Sequence, residues 1–129
     1  MDQLKSTVAQ QIADAAIAFQ KQSTGHVPNA VTVVLSEDTL VITLYEALSP
    51  AEKALAKSAD GAAQMQEFHR QLFATSSQPL QQDIKQILGR QICEAAAEVE
   101  PTTGAIVHAF TSGTMVQVFL LTPNTPAKI

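Results

Sequence analysis

Between Gly25 and Arg90 the chain alternates two apolar runs with strongly punctuated helix starts and stops, and this order restricts the fold more than any other feature. Ala30–Leu35 and Thr39–Tyr45 read as paired strands joined at Ser36-Glu37-Asp38. Both faces of the second run are apolar, because Leu40, Ile42 and Leu44 alternate with Val41, Thr43 and Tyr45. One face is expected to pack on helices and the other to meet a partner. Leu48-Ser49-Pro50-Ala51-Glu52-Lys53-Ala54-Leu55 follows. Ser49 is placed as an N-cap, Pro50 as the first helical residue, and Glu52 as the third, completing a capping box.

That helix is expected to run to about Ser58, with Asp60-Gly61 breaking or bending the chain. A second helix to about Ala74 would bury Met65, Phe68 and Leu72. Pro79 opens a third, with Leu80, Ile84, Ile87 and Leu88 inward and Gly89 as its stop. Upstream, residues 2–22 show Leu4, Val8, Ile12, Ala16 and Phe19 at three- or four-residue spacing, an amphipathic helix facing the core or a dimer seam. Gly25, Pro28 and Asn29 mark the turn after it. Downstream, Arg90–Val99 reads as a strand exposing Glu94 and Glu98. Ala105–Thr111 and Met115–Leu121 read as a second hairpin around Ser112-Gly113-Thr114. The expected fold is α+β in two layers: a mostly antiparallel sheet of two hairpins plus a linking strand, with helices on one face. Residues 1–122 form one domain and 123–129 a loose tail.

Function is less legible. A net charge of −4, with eight scattered basic residues, argues against nucleic acid. No apolar run reaches the roughly 20 residues that span a bilayer. With no secretory leader pattern, a soluble cytoplasmic protein without direct membrane insertion is expected. The lone Cys93 excludes an internal disulfide and reads as a small core residue. His26, His69 and His108 have no metal-ligand spacing, so no metal or cofactor is expected. No nucleophile elbow, phosphate loop or carboxylate pair stands out, and no catalytic residue is assigned. Arg70 can pair with Glu67 on one helix face. Alternatively Arg70 and Arg90, the two arginines, converge with His26 on an anionic ligand.

The run from Gly25 to Pro28, the apolar hairpin, Leu48–Leu55, Gly61, Arg70 and Gly89-Arg90 together resemble the DUF2294 family, the MpsC-like domains named after a Na+-translocating membrane-potential-generating system. The resemblance covers roughly Ile12 to Leu121. It implies a small bacterial cytosolic domain, in some members associated with membrane cation or inorganic-carbon handling, and it supplies no catalytic residues. Two departures stand out. The family turn reads Gly-(Lys/Arg)-Gly-Pro where this chain has Gly25-His26-Val27-Pro28, and Pro101–Thr114 is longer here. The expected function is a non-enzymatic accessory domain, homodimeric or of higher order, with a protein partner at a membrane system. An anion sensor using Arg70 and Arg90 is the alternative.

Overall fold

The computed structural model describes residues 7–100 and 114–123. Helix α1 (Val8–Thr24) is capped by the Thr7 side chain, which accepts from the Gln10 N–H at 3.0 Å. It stops at Gly25, whose φ of 78° lies in the left-handed region that glycine adopts without cost. Strands β1 (Ala30–Ser36) and β2 (Thr39–Tyr45) follow, then helices α2 (Pro50–Leu55), α3 (Ala59–Ser76) and α4 (Gln78–Leu88), and strands β3 (Ile92–Glu100) and β4 (Thr114–Leu121). The four strands form one antiparallel sheet in the order β1-β2-β4-β3. The architecture is α+β, as the sequence predicts.

The pleat sorts the sheet residues. Leu40, Ile42 and Leu44 lie opposite Phe119, Gln117 and Met115, and all six are buried. Val31, Val33, Ala95 and Ile92 extend this face, which receives Ile12, Ala16 and Phe19 of α1, Phe73 of α3, and Leu80 and Ile84 of α4. Phe73 links the layers, with edge-to-face contacts to Phe19 (6.1 Å) and Phe119 (5.9 Å). Within each strand the core residues alternate with outward ones, so among the described residues the helices stand on one face.

Several expectations are corrected. Residues 1–6 lie outside the described residues, and α1 extends to Thr24, with Val8 exposed. The chain turns at Ala56–Ser58, not at Asp60-Gly61. Ser58 caps α3, and Gly61 lies inside its first turn. Gly61 serves close packing: a Cβ there would meet the Leu55 carbonyl oxygen at 1.8 Å. The inward stripe of α3 is Gly61, His69 and Phe73, while Phe68 is 48% exposed. Cys93 is exposed, because a register irregularity between Ile92 and Glu94 displaces it from the core pattern. Ala105–Thr111, with His108, lies outside the described residues. The two neighbours of Met115–Leu121 in the sheet are β2 and β3.

Candidate functional site

Among the described residues, no helix packs on the sheet face opposite the core. On it Val41 faces Val118, Thr43 faces Val116, and Thr39 faces Leu120. The four valine and threonine residues of the first two pairs are half-buried against one another, as is Tyr45. Leu120 is 40% exposed and Val34, on β1, is 57% exposed. On the β3 side the face changes character: Glu94 is exposed beside Leu120, and Glu98 occupies the register position opposite Val116. The described part of this face therefore has an apolar centre, with the exposed Glu94 at one side.

The predicted ligand residues are dispersed. Arg90 is 8% exposed at the entry to β3. Its Nε–H donates to the Thr122 carbonyl (2.9 Å), its Nη1–H to the Glu37 carbonyl (2.9 Å), and its Nη2–H to the Thr122 carbonyl (2.7 Å) and Asp38 Oδ1 (2.5 Å). These bonds tie the β1–β2 turn to the chain that leaves β4. His26 lies at the other end of β2, where its Nε2 bonds the Glu46 carbonyl (2.9 Å). The seven-residue strand β2 stands between them, roughly 20 Å of extended chain. The structure therefore does not bring Arg90 and His26 together. Arg70 is half-exposed on α3, with Nη1 donating to Glu67 Oε1 at 2.7 Å.

His26, Val27, Pro28, Asn29, Glu46, Leu48, Pro50 and Lys53 surround an open cavity of about 460 Å³. Both basic side chains there, His26 and Lys53, are engaged by Glu46, the first through its carbonyl and the second through its carboxylate. The motif residues behave as local chemistry dictates. Ser49 and Glu52 close the capping box, with the Ser49 N–H donating to Glu52 Oε1 (2.9 Å) and the Glu52 N–H to Ser49 Oγ (3.2 Å). Pro50 opens α2, Pro28 is buried, and Gly89 ends α4 at φ 69°.

Sequence reasoning missed one polar contact in this region. His69 is 3% exposed, and its Nε2 lies 3.0 Å from Glu52 Oε2, so one glutamate both caps α2 and binds α3. From sequence, its helical neighbours Glu67 and Arg70 pair with each other and His69 is assigned no partner. The signal for burial was its four-residue spacing to Phe73.

Among the described residues no three His, Cys, Asp or Glu side chains are grouped to hold a metal ion, and no helix is long and apolar enough to cross a membrane. The family model described as "Na+-translocating membrane potential-generating system (MpsC)" matches residues 4–113. No curated protein and no solved structure matches the chain.

Proposed function

The chain belongs to the MpsC family, and on that premise we propose that it is a non-catalytic accessory component of a Na+-translocating membrane system, recruited to it by a protein partner. The observation that carries this reading is the outward sheet face, with Val41, Val116 and Val118 at its centre and Glu94 at its rim. Such a face favours a partner that presents apolar side chains flanked by Lys or Arg. It disfavours direct adsorption on a bilayer: the rim is acidic and the chain carries a net charge of −4, whereas cytoplasmic leaflets are anionic and attract basic segments.

Vesicle flotation tests the proposal. The full chain is expected to float with vesicles holding the membrane subunits of such a system and to remain in the soluble fraction with empty vesicles. Val118→Lys changes a half-buried outward residue and should reduce co-flotation at least tenfold without loss of helical circular dichroism. Equal flotation with empty vesicles, or none with loaded ones, would discard the reading.

A further inference from the structure

The two edges of the sheet are built differently. Edge strand β3 carries Glu94, Glu98 and Glu100 and a register irregularity near its start. Charges and bulges of this kind block edge-to-edge pairing. Edge strand β1, Ala-Val-Thr-Val-Val-Leu-Ser, has no charge, no proline and an unbroken register against β2. Seven residues at about 3.3 Å each give an edge roughly 23 Å long.

Hydrogen-bond parity identifies which backbone groups of β1 have no strand partner among the described residues. The Leu121 N–H donates to the Asp38 carbonyl at 2.8 Å. In an antiparallel ladder alternate residues bond to opposite sides. Leu40, Ile42 and Leu44 therefore turn their backbone groups to β4, while Thr39, Val41, Thr43 and Tyr45 turn theirs to β1. Their partners on β1 are Ser36, Val34, Thr32 and Ala30. The remaining residues, Val31, Val33 and Leu35, direct their N–H and C=O groups to the edge, which no strand among the described residues covers.

We infer that β1 pairs antiparallel with β1 of a second copy, about a two-fold axis through Val33. In this register Val33 faces Val33 of the other copy, and Val31 faces its Leu35. Each of these pairs exchanges both N–H···O bonds. Thr32 faces Val34 of the other copy in the intervening pairs, so the exposed Val34 (57%) and Leu35 (43%) both gain a cross-strand neighbour. The pairing keeps core-side residues with core-side residues, and it closes as a dimer. Charge selects it over the rival edge: a β3–β3 pairing would set glutamates against glutamates on a strand already irregular. The resulting dimer has one continuous sheet and doubles the outward face, but it does not depend on the membrane partner proposed above.

Sedimentation equilibrium of the full chain over roughly 1 μM to 1 mM, the range in which small interfaces dissociate, should show the mass rising toward twice 13.7 kDa. A sample mixing isotope-labelled and unlabelled chains should give an intermolecular NOE between the Thr32 and Val34 α-protons. These protons face each other in a non-hydrogen-bonded pair but are two residues apart within one strand. Val33→Pro removes an N–H that has no partner on β2, so the fold should survive while dimer affinity falls at least tenfold. If that variant does not fold, Thr32→Glu decides: Thr32 is exposed, and the added carboxylate should weaken the dimer tenfold or more. A chain that remains monomeric at 1 mM overturns the inference. So does a dimer that lacks the NOE, or one that the folded variant leaves unchanged.

Discussion

At each end of β2 stands a glutamate with left-handed backbone, Glu37 before the strand (φ 53°) and Glu46 after it (φ 57°). Each carbonyl accepts a hydrogen bond of 2.9 Å from a basic side chain, Arg90 in the first case and His26 in the second. Each corner also holds an ion pair, Arg90 with Asp38 and Lys53 with Glu46. The parts are alike, but their settings are not. Arg90 is 6% exposed at its side chain and binds three separate chain positions, while Lys53 and Glu46 are 38% and 47% exposed. A guanidinium fork removed from water can hold a turn and a strand exit in register. A solvated lysine pair adds little.

Substitutions can break or sharpen this contrast. Arg90→Ala should have the largest effect, a loss of about 3 kcal/mol or roughly 10 °C in thermal midpoint, because it strips the donor from the Glu37 and Thr122 carbonyls. Arg90→Lys, read by the same melts, should recover only about 1 kcal/mol of that, since an ammonium cannot reproduce the fork. An Arg90→Lys protein as stable as the parent would show that charge alone suffices. At the other corner His26→Ala should cost about 1 kcal/mol, as water replaces the lost donor to Glu46. Lys53→Ala should cost less than about 0.5 kcal/mol, and that difference should vanish in 1 M salt. A larger, salt-resistant loss at Lys53 would make the two corners equivalents.

What was legible in the sequence follows the range of the interaction involved. Ser49, Pro50, Glu52, Gly25 and Gly89 act through neighbours within a few residues, and each stands where its chemistry predicts. The apolar alternation of β2 likewise revealed two faces, one of which the helices cover. Most of the features missed or misplaced depend on distant chain. His69 is buried because Glu52, seventeen positions away, accepts its ring. Arg90 acts as a clamp only through Thr122, Glu37 and Asp38, which are 32, 53 and 52 positions distant. Gly61 signals a chain break by type, yet it is there to admit the Leu55 carbonyl. Cys93 resembles a core residue until the irregularity at Ile92/Glu94 turns it outward.

The double duty of Glu52 has a consequence for how the molecule breathes. Helix α2 has six residues, none of them buried, too few to persist by themselves. It is pinned at its start by Glu52, which also holds His69, and at its end by the approach of Leu55 to Gly61. Both anchors belong to α3, so α2 cannot fray alone without exposing a buried imidazole. The two helices should therefore open as one unit in native-state hydrogen exchange, with the amide of Ala56, the C-cap of α2 that donates to the Glu52 carbonyl, protected to the same free energy as the middle of α3.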